Sequence, residues 1–222
     1  MCAQRDVVLF DLDGTVLDTH DAILESLRYA TRVVLGAPLP DEVLVAKVGQ
    51  PLATQMRTFA PDPEVAEELL RVYRANNEQD LNVHIEPFPG IEQVFSALRA
   101  EGFTVGVVTS KRHALAESSL IHFGLRDYLA CVNGMEDSAG HKPDPDPLIQ
   151  VAQDLEVPLD RCLYIGDSPY DLQAARAAGI PSIGVTWGKF FSRAVLEPER
   201  PQRLIDSMDE LLPAIRDVAA NG

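Results

Sequence analysis

Two aspartates one residue apart, Asp11 and Asp13, leave the apolar run Val7-Val8-Leu9-Phe10 and enter a glycine turn through Gly14 and Thr15. Residues i and i+2 of a strand point to one side, so both carboxylates emerge together where a buried strand becomes a loop. Neighbouring carboxylates repel unless a cation lies between them or one is protonated. A hard cation such as Mg²⁺, which takes oxygen ligands, meets that need. A strand followed by an ordinary Asp-Gly turn produces the same pattern without chemistry. Asp-x-Asp-Gly alone does not choose between these readings.

A second acidic stretch, Gly166-Asp167-Ser168-Pro169-Tyr170-Asp171, follows the apolar run Cys162-Leu163-Tyr164-Ile165 and precedes an alanine-rich segment ending at Gly179 and Pro181. Strand, loop and helix start are legible there. Asp167 or Ser168 suits the N-cap position, and Asp171 suits the helix dipole. Asp167 also leaves a buried strand as Asp11 does, and with Asp11 and the Asp13 carbonyl it makes a sparse oxygen shell of the kind Mg²⁺ accepts beside substrate phosphate. Thr109 ends the run Val105-Gly106-Val107-Val108 and offers a hydroxyl to a phosphoryl oxygen. Lysine occurs four times, at 47, 111, 142 and 189. Lys142, before Pro143-Asp144-Pro145, is either a solvated loop residue or a fixed charge facing the carboxylates and a phosphoryl group.

Those residues need strands that end on one edge. Val7 to Asp13, Phe103 to Thr109, Tyr128 to Val132, Cys162 to Gly166 and Ser182 to Trp187 read as about five strands joined by helical crossovers. That pattern predicts an α/β, doubly wound parallel sheet with its ligand site at the strands' carboxyl ends. Between the first two strands, Leu17 to Glu86 shows no convincing strand. Ile23, Leu24, Leu27, Ala30 and Val34 fit one helix face, and Val65, Leu69, Val72 and Tyr73 fit another. Proline-rich breaks at 38–40, 61–63 and 87–89 divide and close this insertion. The expected division is a core of residues 1–16 and 87–222 carrying a helical cap, 17–86. Leu204 to Val218 has helical spacing and is expected to cover the sheet.

The chain has 222 residues, 46% of them hydrophobic, enough for a packed core. A net charge of −15 argues against binding nucleic acid or an anionic membrane. There is no apolar run long enough to span a bilayer and no signal-peptide pattern before the first strand, so a cytoplasmic protein is expected. Cys2, Cys131 and Cys162 are odd in number and widely spaced, suggesting neither disulfides nor a zinc site, and the last two read as buried thiols.

Taken together, Asp11-Leu12-Asp13-Gly14-Thr15, Thr109, Lys142-Pro143 and Gly166-Asp167 through Asp171 resemble, in order and spacing, the four motifs of the haloacid-dehalogenase-like (HAD) superfamily, whose core is Rossmann-like. The insertion resembles the helical cap of its phosphoglycolate-phosphatase-like branch. This resemblance implies Asp11 as the nucleophile that accepts a phosphoryl group and Asp13 as the acid that protonates the leaving oxygen and then activates water. It implies Thr109 and Lys142 as the residues holding the phosphoryl oxygens, and Asp167 as a Mg²⁺ ligand supported by Asp171. The chemistry agrees with the residue types: a carboxylate nucleophile splits the displacement into two steps, and cations offset the repulsion of an anionic substrate.

The expected function is therefore Mg²⁺-dependent hydrolysis of a small, phosphoglycolate-like phosphate by a monomer or homodimer. Pyrophosphatase activity on the same scaffold is the rival, because Tyr73-Arg74-Ala75-Asn76-Asn77 and Lys142-Pro143-Asp144-Pro145-Asp146-Pro147 are as similar to the pyrophosphatase members. β-Phosphoglucomutase fits less well, since Gly49 is followed by Gln50-Pro51-Leu52 rather than Ser-Arg. A true dehalogenase would lack the second aspartate. A non-catalytic binding module remains the reading from another class. Substrate choice is assigned to the cap, with Gln50, Arg57, Lys47 and His20 as candidates, and to Ser110 and Lys111 beside Thr109, with Arg112 next to them.

Overall fold

The computed structural model describes residues 6–79 and 84–220. In chain order, β1 (Val7–Phe10) and the short β2 (Leu17–Asp18) lead into α1 (His20–Leu35), α2 (Asp41–Val45), α3 (Leu52–Phe59) and α4 (Pro63–Gln79), and the chain returns through β3 (Glu86–Pro87). An alternating series follows: α5 (Ile91–Ala100), β4 (Thr104–Val108), α6 (His113–His122), β5 (Cys131–Asn133), α7 (Asp146–Asp154), β6 (Cys162–Gly166), α8 (Pro169–Ala178) and β7 (Ser182–Val185). Short α9 (Arg193–Leu196), β8 (Arg203–Ile205) and α10 (Leu211–Ala220) complete the described chain.

Six strands form one parallel sheet in the order β5-β4-β1-β6-β7-β8. Each residue of β1 is buried because both faces are covered. Val8 and Phe10 enter one apolar cluster with Val105, Val107, Leu163 and Ile165, against Phe95 of α5 and Ile215 of α10. Val7 and Leu9 enter the other with Cys162 and Tyr164, against Leu148 of α7 and Ala174 of α8. The chain builds β4 and β5 on one side of β1 and then crosses to β6 on the other. The carboxyl end of β1 is thus a switch point, where ligands of open α/β sheets bind. Phe10 is in register with Val107 and Ile165, so Asp11, Thr109 and Asp167 leave the sheet at one edge.

Helices α1 to α4 form a separate apolar cluster through Leu24, Leu27, Ala30, Leu44, Met56 and Leu69, joined from the core by Tyr170, Leu172, Phe190 and Phe191. The α/β core therefore carries a helical cap. Three sequence expectations are corrected. The insertion is not strandless at its ends, because Leu17 and Asp18 pair antiparallel with Pro87 and Glu86 and bring its two connections together. Tyr128 lies in a 3₁₀ turn, and the strand begins only at Cys131. The sheet has a sixth strand within the segment read as helix: Arg203–Ile205 pairs with Ile183–Val185, while the helix starts at Leu211. A three-residue edge strand has too few residues to show a period of two, and Leu204 and Ile205 also fit helical spacing. Cys162 is buried and Cys131 partly so, both as free thiols, while Cys2 lies outside the described residues. No helix among the described residues is long and apolar enough to cross a membrane.

Phe95 is fully buried, with its ring 5.1 Å from that of Phe10 in an edge-on contact. Phe95→Ala is expected to destabilise the chain by about 3–5 kcal/mol, since the rigid sheet beneath cannot collapse into the void. Urea unfolding checks this, and a loss below about 1 kcal/mol would show that the site repacks.

Candidate active site

The apolar run of β1 ends at Asp11, whose amide donates to Ile165 O (2.8 Å) and so continues the sheet by one residue. Its carboxylate is 4% exposed and accepts from Lys142 Nζ at 2.7 Å. The same ammonium donates to Asp171 Oδ1 (2.6 Å) and to the Tyr164 hydroxyl (3.1 Å), which in turn donates to Val108 O (2.8 Å). Burial disfavours the Lys142 ammonium, but Asp11 and Asp171 outweigh it and hold the lysine charged, well above its ordinary range. Lys142 is only 2% exposed, so the solvated-loop reading of this residue does not hold.

Ser168 is the N-cap of α8, with Pro169 in the first turn. Its amide (3.0 Å) and hydroxyl (2.6 Å) donate to Asp171 Oδ2, and the Asp171 amide donates back to its hydroxyl. This capping box fixes a side chain that the sequence leaves between helix dipole and site. With one oxygen held by Lys142 and the other by Ser168, Asp171 orients the lysine while keeping an oxygen within 4.8 Å of those of Asp11 and Asp167.

Asp167 is 3% exposed, and its Oδ2 is buried with no hydrogen-bond partner. Two glycines close around it. Gly14 has φ +86°, and a Cβ there would lie 2.2 Å from Asp167 Oδ2; a Cβ on Gly188 would lie 2.1 Å from the same atom. An orphaned carboxylate oxygen in a cradle of backbone is costly unless a cation meets it. Oxygen atoms of Asp11, Asp167 and Asp171 lie within 4.8 Å of one another, a hard, all-oxygen donor set that fits Mg²⁺. Burial pushes the Asp11 carboxyl up to about 7, with Lys142 opposing the rise and Asp171 adding to it. Burial also holds Asp167 well above the carboxylate range, with the Asp11 and Asp171 charges adding to it.

Asp13 stands at the cavity mouth, half-buried, and Lys111 Nζ donates to its Oδ1 at 2.9 Å. Thr109 is buried, and its Oγ1 accepts from the Lys111 amide at 3.2 Å. Ser110 Oγ donates to Gly49 O (2.8 Å), tying the core loop to the cap. Between core and cap lies a cavity of about 120 Å³, lined from the core by Asp11, Asp13, Thr109, Ser110, Lys111 and Asp167. The cap contributes Gln50, Gln55, Tyr73, Arg74 and Asn77.

Of the cap candidates, Gln50 lines the cavity and Arg57 does not. Arg57 is exposed on the outer side of α3, because the inner side of that helix is taken by Gln55 and Met56. Lys47 is likewise exposed, and His20 is engaged by Asp21 and the Phe190 ring. Tyr164 and Gly188 were not anticipated. A tyrosine in an otherwise apolar buried strand signals a hydroxyl needing a partner, whereas nothing local marks Gly188.

A cation held by Asp11 and Asp167 would displace the protons that burial favours on them. These raised values mean that the metal-free fold loses stability as pH climbs from the ordinary carboxylate range through about 7. The rise in Tm on saturating with Mg²⁺ is therefore expected to be larger near pH 8 than near pH 5.5. Thermal unfolding at both values measures it, and equal gains would mean that no carboxylate proton is displaced.

Comparison with known proteins agrees with this geometry. Residues 8–185 match the haloacid dehalogenase-like hydrolase family. The chain is 36% identical over 209 residues to a Caldanaerobacter subterraneus protein named "Putative pyrophosphatase PpaX", covering 94% of each. It is 31% identical over 231 aligned positions to the phosphoglycolate phosphatase of Escherichia coli K12, covering 94% of this chain and 91% of that one. A Clostridium acetobutylicum structure described as a predicted phosphatase superposes with a TM-score of 0.87 at 29% identity, covering 97% of this chain and all of the other. With a family match over most of its length and these relatives beside it, the chain belongs to the haloacid dehalogenase-like hydrolases.

Proposed function

We propose that this hydrolase is a Mg²⁺-dependent phosphatase that cleaves a small phosphorylated metabolite through a phosphoryl group carried on Asp11. The observation supporting this most directly is the buried Asp11 carboxylate, held 2.7 Å from Lys142 Nζ on the floor of a cavity that the cap covers. Asp11 attacks phosphorus, the bond to the leaving oxygen breaks, and Asp13 gives that oxygen its proton. Asp13 then takes a proton from water, which attacks phosphorus, releases inorganic phosphate and restores the Asp11 carboxylate. Lys111, 2.9 Å from Asp13, holds that side chain in place; Thr109, at the cavity wall, would meet a phosphoryl oxygen, and Lys142, bonded to Asp11, would offset the charge of the phosphoryl group it carries. Asp11, Asp167 and the Asp13 carbonyl would hold Mg²⁺, which supplies charge to offset the phosphoryl oxygens.

In this reading residues 17–86 act as the cap and 1–16 with 87–222 as the core, so the cap excludes water and selects the substrate. Gln50 and Ser110 keep their place as substrate contacts; Arg57 is replaced by Arg74, the sole cation that the cap brings to the cavity among the described residues. Arg74 is also compatible with a second reading, hydrolysis of inorganic pyrophosphate, because its guanidinium suits the second anionic end of pyrophosphate as well as that of a phosphoglycolate-like ester.

Asp11→Asn is expected to lower kcat by roughly 10⁴-fold or more while the protein stays folded, and chelation should abolish wild-type activity until Mg²⁺ is restored. Substantial turnover by folded Asp11→Asn would remove the nucleophile assignment.

Arg74→Gln is expected to reduce kcat/KM for pyrophosphate and phosphoglycolate by about 10–100-fold, with little effect on a small ester lacking a second charge. Steady-state kinetics on that panel decides it, and equal losses on every substrate would place specificity elsewhere.

A further inference from the structure

The segment 187–191 contributes no side chain to the proposed phosphoryl transfer, yet it touches Asp167, the loop after Asp13, the connections to the cap and the cap itself. Trp187 Nε1 donates to Thr15 O (3.2 Å) in the loop after Asp13, and its ring lies 6.3 Å from that of Phe88, where the chain returns from the cap. Gly188 walls Asp167, and a Cβ there would also meet Gly14 O at 2.6 Å. Lys189 adopts φ +69°, a left-handed conformation unusual for a residue with a side chain, and its Nζ donates to Asp18 Oδ2 at 2.7 Å. Asp18 belongs to β2, one of the two connections to the cap. Phe190 and Phe191 are buried in the cap's own apolar cluster, with the Phe190 ring 4.9 Å from that of His20 at the start of α1.

We propose that segment 187–191 is a positioning element that couples cation binding at Asp167 to docking of the cap, so that each favours the other. This rests on Asp167 being a Mg²⁺ ligand. The backbone at Gly188 approaches Asp167 closely enough that the carboxylate has one place to stand. The next three residues are pinned to the hinge and to the cap. A shift of the cap that pulls Phe190 and Phe191 therefore moves the wall of the cation site, and a cation that fixes Asp167 braces that wall. Coupling of this kind is reciprocal: whatever loosens the cap weakens the cation, by the same factor as loss of the cation loosens the cap. Its consequence is that the charge needed for phosphoryl transfer is bound most tightly only after water has been shut out.

Trp187, the chain's one tryptophan, sits inside the segment and provides an intrinsic fluorescence probe. The test is a Mg²⁺ titration of the full chain, without substrate, by Trp187 fluorescence and calorimetry. Hydrogen exchange of residues 46–50, the cap loop whose Gly49 carbonyl accepts from Ser110, is read with and without Mg²⁺. Mg²⁺ is expected to slow exchange in that loop. Lys189→Met breaks an ion pair whose partners are 53% and 33% exposed and should weaken Mg²⁺ binding about two- to fivefold, while reducing the protection of 46–50. The sign is diagnostic, because removing a positive charge near a cation site would by electrostatics alone strengthen binding. Gly188→Ala, which places a methyl group against Asp167, should weaken it by about tenfold or more, and Lys189→Met carries the test if that variant does not fold. Unchanged or tighter Mg²⁺ binding in Lys189→Met, with exchange of 46–50 indifferent to Mg²⁺, overturns the coupling. Failure of the wild-type chain to bind Mg²⁺ at all overturns the metal assignment beneath it.

Discussion

The Lys142 ammonium, buried between Asp11 and Asp171, is the interaction on which the site depends. Three aspartates converge at the carboxyl edge of β1, and removing three carboxylates from water is unfavourable unless charge and hydrogen bonds replace the lost solvation. One lysine serves two of them. It is kept in place by Tyr164 from β6 and by an aspartate that the N-cap of α8 immobilises. Asp167 receives no such partner, and its unmet oxygen is what a divalent cation would satisfy. The core fold follows from this requirement: only adjacent parallel strands with matched register bring residues 11, 109 and 167 to one edge, and only glycine at 14 and 188 lets backbone approach that closely.

Polar and apolar contacts together join the cap to the core. Among the described residues, Ser110 donates to Gly49 O, the Tyr170 hydroxyl donates to Ala46 O at 3.4 Å and Lys189 pairs with Asp18, alongside apolar packing by Tyr170, Phe190 and Phe191. In the proposed function, the apolar part of this junction would let a cover open for substrate and product. The division of labour is chemical as well as spatial. The core lines the cavity with three carboxylates, the hydroxyls of Thr109, Ser110 and Ser168, Lys111 and Arg112, whereas the cap lines it with amides, a tyrosine, Arg74 and the apolar Ile23, Val48 and Leu52. In the proposed function, groups that would bind and discriminate are set opposite groups that would react.

Much of this was legible from the sequence, for identifiable reasons. The buried strand ahead of Asp11, the strand-loop-helix around Asp167 and the helical spacing of the insertion are local properties, set by side-chain periodicity and by capping and turn residues, so they survive without knowledge of the rest of the chain. The same holds for the motif order Asp11, Thr109, Lys142, Asp167, which carries the family. What the tertiary structure alone decided depends on contacts between segments far apart in sequence. It chose between the two readings of Lys142 by burying it against Asp11, gave Tyr164 a place beside it, and set Arg57 outside the cavity while Arg74 lines it. It also formed β8 and the β2–β3 pair, strands too short to show a period and stable only against a neighbour already in place. Gly188 shows the boundary most clearly: its residue type is visible at once, but its necessity appears only when Asp167, 21 positions earlier, lies where a methyl group would have to be.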